Sequence, residues 1–267
     1  LMPDAGSGAL FERKTIGIAG VEIEYHEGGE GSPLLYLHAG GGFRPMHPAM
    51  PHLAKRHRII APSHPGFGRS GLPTWINSVD DFAHIYLEFM QRLDLQETTL
   101  IGASIGGWVG AELATKNTSR LSRLVLIGPA GIKVGSRDAL DIPDIFAMTP
   151  AEFEKRLFRD PKKFHPDFTK MNDEDLAIIA RNRQTMALIA WEPYLHNPKL
   201  KHRLQMIDIP TMVMRGEYDG LISEDYAKAY TELIPGASFV QIAEAGHAPD
   251  VEQAKVFANT LSNWMES

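Results

Sequence analysis

Short apolar runs alternate with helical stretches along most of this chain, and that alternation restricts the fold more than any other feature. Leu34–His38, Arg58–Ala61, Thr98–Gly102, Arg123–Gly128, Thr211–Gly216 and Phe239–Ile242 are short and largely apolar on both faces. Such runs predict strands covered on both sides, as in a parallel sheet between two layers of helices. Ahead of them, Lys14–Ile18 and Val21–His26 predict a hairpin turned at Ala19-Gly20. Between the strands, Asp80–Leu93 carries Phe82, Ile85, Tyr86, Phe89, Met90 and Leu93 at helical spacing. Further helices are predicted at Ser104–Lys116, Asp225–Leu233 and Gln253–Met265. The expected fold is an α/β domain with a mostly parallel, eight-stranded sheet and helices on both faces.

The alternation stops between Ile132 and Met206. That stretch reads as helical without intervening strands. It opens a helix at Thr149-Pro150-Ala151-Glu152, a capping box with proline at the first helical position. It also holds Glu174–Trp191, which predicts one long apolar-striped helix. The expected organisation is a core formed by residues 1–131 and 207–267, with a helical cap at 132–206 over the strand ends.

The strongest chemical signal is Gly102-Ala103-Ser104-Ile105-Gly106, set between a strand and a helix. A serine hydroxyl is a weak nucleophile until it is exposed and given a base. A sharp strand-to-helix turn exposes it, and glycines two residues to either side let strand and helix approach. A second signal, His38-Ala39-Gly40-Gly41-Gly42, follows an early strand. Acyl transfer places negative charge on a carbonyl oxygen, which preorganised N–H groups must meet. Gly40 or Gly41 is expected to supply one donor, and Ile105, at a helix N-terminus, the other. The base and its orienting carboxylate are expected at His247 and Asp219, each on a loop after a late strand. The order Ser104, Asp219, His247 is the one a strand–elbow–helix serine hydrolase requires. Asp208, Glu217 and Asp225 are the fallback acids.

These residues resemble the α/β-hydrolase superfamily, in particular its lidded esterase and meta-cleavage-hydrolase-like branches. The resemblance runs from the His38 loop through Ala61-Pro62-Ser63-His64-Pro65-Gly66-Phe67-Gly68-Arg69-Ser70 and the elbow to Gly246-His247-Ala248-Pro249. It implies the fold, the Ser104–Asp219–His247 set and the lid, and leaves the substrate open. Ala39 stands where many relatives have glycine. Ala248 stands where carbon–carbon-cleaving relatives usually have tryptophan.

Composition narrows the chemistry further. The chain has 267 residues, 43% hydrophobic and 22% charged, enough for a sizeable core. It has no cysteine, which removes disulfides, thiolate nucleophiles and cysteine-ligated metals. A net charge of −6 provides no electrostatic footprint for nucleic acid or an anionic membrane. No apolar run reaches the roughly 18–20 residues of a membrane span, and the start of the chain has no basic and apolar leader pattern. A cytoplasmic enzyme without cofactor or metal is therefore expected, with oligomeric state open. Gly66-Phe67-Gly68-Arg69-Ser70-Gly71 matches a dinucleotide fingerprint literally, but Pro73 and Asn77-Ser78 follow where a helix would have to begin.

The expected reaction is hydrolysis of a carboxylic ester or related acyl bond of a small, largely apolar substrate through an acyl-enzyme on Ser104. Phe43, Phe146, Met148, Met186 and Trp191 are the expected substrate-lining residues. Carbon–carbon hydrolysis, lactonase or perhydrolase activity is open to the same three residues. A non-catalytic small-ligand receptor is the rival from another class, although a pure binder has no need of all three.

Overall fold

The computed structural model describes residues 10–164 and 168–266. In chain order the elements are β1 (Glu12–Ile18), β2 (Val21–Gly28), β3 (Ser32–Leu37), α1 (Met50–Leu53), β4 (His57–Pro62), α2 (Val79–Arg92), β5 (Thr98–Ala103), α3 (Ile105–Lys116), β6 (Leu121–Ile127), α4 (Pro150–Leu157), α5 (Pro161–Phe164), α6 (Asp173–Ala190), β7 (Thr211–Gly216), α7 (Glu224–Leu233), β8 (Ser238–Ile242), α8 (Pro249–Glu252) and α9 (Ala254–Glu266). Eight strands form one sheet in the order β1-β2-β4-β3-β5-β6-β7-β8. β1 and β2 pair antiparallel, as do β2 and β4, and the remaining pairs are parallel.

Strand side chains alternate between two cores, because successive residues point to opposite faces. Leu35, Leu37, Leu100, Leu124, Leu126 and Val213 pack on one side with residues of α2, α3 and α7. Leu34, Tyr36, Ile101, Val125, Ile127, Met212 and Met214 pack on the other with α1 and α9. Helix starts follow the expected chemistry. Ser78 and Asp81 form a capping box on α2, and Thr149 and Glu152 form the one expected on α4.

Between β6 and β7 the described residues add no strand to the sheet. The two ends of this segment are tied together, with Gly131 N–H donating to Leu195 O (3.1 Å) and Asn197 N–H to Gly131 O (2.9 Å). Two 3-10 turns follow, and their Leu200 and Leu204 are wholly buried in the core. The long helix of this segment departs from its expected apolar stripe. The residues that α6 buries are Asn182, Thr185, Met186, Ile189 and Ala190, and its first half buries none. Its inner face meets loop backbone with polar groups to be matched, so side chains with donors and acceptors stand where aliphatic ones were expected.

Candidate functional site

Ser104 lies where β5 passes into α3, with φ 55° and ψ −113°. A left-handed angle is costly for a residue with a Cβ, and it marks a position held by its surroundings. The holding is visible: Ser104 N–H donates to Ile127 O (2.8 Å), and Ser104 O accepts from Trp108 N–H (3.1 Å). Gly106 has no room for a side chain, since a Cβ would collide with the carbonyl oxygen of Leu37 and lie 2.7 Å from that of His38. The elbow helix and the start of the glycine loop therefore touch. As a first-turn residue of α3, Ile105 has an N–H with no acceptor inside the helix.

Asp219 follows β7 and His247 follows β8, so both emerge at the same sheet edge as Ser104. His247 donates from Nδ1 to Asp219 Oδ2 (2.8 Å). The other carboxylate oxygen, Oδ1, accepts the N–H groups of Leu221 (2.8 Å) and Ile222 (2.9 Å). With the Nδ1 proton given to a carboxylate, the lone pair of His247 is on Nε2. That atom is buried and has no hydrogen-bond partner among the described residues. Burial pulls the imidazole towards its neutral form, but the charge and hydrogen bond of Asp219 outweigh it, and the His247 pKa stands above its ordinary value. Ser104 is bonded to the carbonyl of Ile127, and the next residue, Gly128, borders the imidazole of His247. A Cβ there would lie 3.0 Å from both Nδ1 and Cε1 of the imidazole.

The fallback acids are occupied elsewhere. Asp208 accepts from Thr118 (2.7 Å), Glu217 accepts the N–H of Glu244 (3.1 Å), and Asp225 lies in the first turn of α7.

Six residues that the sequence did not single out support this edge. Arg215 is buried and spans the acid loop, donating to the carbonyls of Ile222 (2.8 Å), Glu217 (3.2 Å) and Asp219 (3.2 Å). Asp250, three residues beyond the base, accepts from Tyr36 Oη (2.6 Å) and pairs with His47 Nε2 (3.2 Å). His64 contacts the glycine loop through His38, and Asn182 reaches the same loop from α6. Asn182 Nδ2 donates to Gly41 O (3.1 Å), while its Oδ1 accepts the N–H of Gly68 (3.0 Å). Thr185 donates to Gly66 O (2.8 Å), and Arg181 to the carbonyls of Gly68 and Ser70. The literal dinucleotide fingerprint is thus a loop clasped by α6. The motif Ala61–Ser70 pointed to that loop, but nothing in it named its partner.

α4 makes a second seam. Its last residue, Leu157, accepts the backbone N–H of His247 (2.7 Å), and Arg156 O accepts that of Gly220 (3.0 Å).

The expected substrate-lining residues are scattered. Met186 lies against the glycine loop, its sulfur 3.3 Å from where a Cβ of Gly40 would stand. Phe146 packs edge-on to Trp191 (5.5 Å between centroids), which is more than half exposed. Met148 lines a surface hollow with Asp144, Glu152, Lys155 and Arg156. Phe43 packs against Phe11, His26 and Tyr36. Of the five, only Met186 is brought to a residue of the expected oxyanion loop by these contacts. Among the described residues no group of three or more His, Asp or Glu side chains converges as metal ligands would, and no helix is long and apolar enough to cross a membrane.

A half-buried serine at a strand-to-helix turn and a buried His–Asp pair thus lie at one edge of a mostly parallel sheet. Residues 32–252 match the family described as the alpha/beta hydrolase fold, and the chain belongs to that family. It is 26% identical to the 2-hydroxymuconate semialdehyde hydrolase of Pseudomonas sp. (strain CF600), over 92% of this chain and 91% of that protein. Among solved structures it resembles a membrane phospholipase A described as a bacterial virulence factor, with TM-score 0.79 and 22% identity over 97% of this chain and 86% of that one. It also resembles the meta-cleavage product hydrolase of Pseudomonas fluorescens IP01, with TM-score 0.77 and 21% identity over 95% of this chain and 97% of that one.

Proposed function

We propose that this α/β hydrolase is a serine hydrolase that cleaves a carboxylic ester or related acyl bond of a small, largely apolar molecule. The observation that carries the reading is the buried Nε2 of His247, its lone pair unpartnered and its other nitrogen fixed by Asp219. Ser104 attacks the carbonyl carbon as His247 takes its hydroxyl proton. The tetrahedral oxyanion is met by the N–H of Ile105 and one from the glycine loop. Collapse expels the leaving group, which receives the proton from His247 and leaves an acyl-enzyme. Water, deprotonated by the same imidazole, then attacks the acyl carbon; the bond to Ser104 breaks, the serine oxygen takes the proton back from His247, and the acid leaves. Asp219 holds the imidazole orientation and stabilises its charged form throughout.

We read residues 132–206 as a cap over this edge, seated on it through α4 and α6. Met186 then forms part of the pocket wall, a flexible apolar side chain suited to varied acyl groups.

A carbon–carbon hydrolase is the second reading, favoured by the likeness to 2-hydroxymuconate semialdehyde hydrolase over nine-tenths of the chain. Ala248 speaks for the ester, since carbon–carbon-cleaving relatives usually place tryptophan there. The test is a fluorophosphonate probe followed by a substrate panel. The label should fall on Ser104, and short-to-medium 4-nitrophenyl esters should turn over faster than 2-hydroxy-6-oxo-dienoates. Preference for the dienoate would select the second reading, and a label on another residue would overturn both.

A further inference from the structure

A chain of hydrogen bonds runs from α2 to the glycine loop. Tyr86 Oη is 2.6 Å from His64 Nδ1, and His64 Nε2 is 2.9 Å from the carbonyl oxygen of His38. The backbone N–H of His64 donates to His38 Nε2 (3.0 Å), and His38 Nδ1 is 2.7 Å from the carbonyl oxygen of Ala39. With neutral imidazoles, protons fit this chain in one way. A peptide N–H can only donate, so His38 Nε2 is bare and its proton is on Nδ1, which donates to Ala39. A carbonyl can only accept, so His64 carries its proton on Nε2 and accepts from Tyr86 on Nδ1. His38 is thus neutral, and a neutral His64 has the opposite tautomer.

The surroundings keep them so. His38, His64 and Tyr86 are 1%, 0% and 0% exposed. Burial pushes His38 down to about 4, and burial together with the neighbouring His38 holds His64 well below the ordinary value.

The end of the chain is what matters for chemistry. Ala39 O accepts twice, from His38 Nδ1 and from the N–H of Gly42 (3.0 Å). In a trans peptide the carbonyl and the N–H point in opposite directions. Fixing Ala39 O therefore fixes the N–H of Gly40, which shares its peptide plane. The N–H of Gly41 shares a plane with Gly40 O, and no hydrogen bond among the described residues holds that oxygen.

We propose that Tyr86, His64 and His38 form a positioning chain that aims the Gly40 N–H at the oxyanion, making Gly40 rather than Gly41 the donor of the loop. This rests on the serine-hydrolase reading above. His38 touches no reacting atom and acts through the Ala39–Gly40 peptide.

Two substitutions separate the ends of the His38 ring. In His38→Asn the amide nitrogen stands near the place of Nδ1 and can still donate to Ala39 O, while the acceptor for His64 is lost. In His38→Gln the amide reaches the place of Nε2 and keeps that acceptor, while the donor to Ala39 is lost. Each removes one buried hydrogen bond, so a purely structural role predicts equal damage. The positioning role predicts that His38→Asn keeps kcat on 4-nitrophenyl acetate within about threefold. His38→Gln should lower it by about 10²-fold, the usual effect of losing an oxyanion donor. KM should stay within about twofold in both, and affinity for an alkylboronic acid should fall in step with kcat. If neither variant folds, Tyr86→Phe carries the test and should lower kcat several-fold with KM unchanged. A His38→Gln enzyme as fast as His38→Asn, or an unaltered kcat in a folded Tyr86→Phe when neither His38 variant folds, overturns the chain. Absence of fluorophosphonate labelling at Ser104 in the unaltered protein overturns the serine-hydrolase reading itself, and this proposal with it.

Discussion

Strand β6 lies in the sheet and helix α6 lies against the Gly40–Gly42 and Gly66–Ser70 loops, and the two are held in different ways. From Leu124 to Ile127, β6 buries four aliphatic residues, alternately in the two cores. α6 buries Asn182 and Thr185 beside Met186, and reaches the Gly40–Gly42 and Gly66–Ser70 loops through directional bonds. Hydrophobic burial is indifferent to which apolar partner it meets, so the sheet holds its shape as long as its volume is filled. A hydrogen-bonded seam constrains particular carbonyls and N–H groups. In this molecule those groups belong to the loop proposed to hold the oxyanion and to the loop beside it.

The largest expected effect is at the elbow, where the core presents the proposed nucleophile. Ser104→Ala should lower kcat by about 10⁵-fold or more while the melting temperature stays close to that of the unaltered protein. Steady-state kinetics beside a thermal melt check both halves. Retained turnover in a folded variant would remove Ser104 from the mechanism.

The proposed acid–base pair comes next. Asp219→Asn should cost about 10³–10⁴-fold in kcat and should also move the pH profile. Only the neutral imidazole can take a proton, so activity rises as His247 loses its own. Burial opposes the charged form, but Asp219 outweighs it, with Asp250 adding to the upward pull and Arg215 opposing it. The midpoint of the acid limb should therefore lie above His247's ordinary value of 6.5. With Asn at 219 the largest upward contribution is gone, and the midpoint should fall. An upward or absent shift in kcat/KM against pH would place the orienting charge elsewhere.

The smallest pair of effects sharpens the contrast most. Leu126→Ala removes a fully buried side chain of the sheet and should cost about 2–5 kcal/mol of stability with little change in kcat per folded molecule. Asn182→Ala should cost less, about 1–3 kcal/mol, yet lower kcat/KM about tenfold, because loop geometry changes with the seam. Urea titrations and kinetics on both variants decide it. Equal ratios of activity loss to stability loss would mean that α6 is ordinary packing.

The same contrast explains what could be read from the sequence. Strand runs such as Thr211–Gly216 and Thr98–Gly102 were legible to within a residue, because burial on both faces demands a pattern that a single window shows. Asp219 was separable from Asp208, Glu217 and Asp225 by its distance past a strand end, and it is the carboxylate bonded to His247. Asn182 was not legible. Its partners are 141 and 114 positions away, and a helix in which it neighbours Met186 and Ile189 looks apolar until the facing loops are known. His64 was visible in its motif, but its tautomer depends on Tyr86 and His38, which only the fold brings together. Asp250 follows the base too closely to stand apart without Tyr36 and His47 beside it.

The bond from the His247 backbone N–H to Leu157 O, the last residue of α4, gives the molecule a built-in isotope clock. That amide proton is withheld from solvent for as long as the α4 seam is closed, whatever the side chain of the same residue is doing. Its exchange for deuterium therefore counts seam openings, one proton at a time, and needs no substrate. A ligand that favours the closed seam should slow this proton more than those of the central strands, which wait on deeper unfolding. Substitutions in the α4 seam should speed it and leave the strand amides near their former rates. His247, the proposed base, would then also report, through a different proton, how often α4 lifts from it.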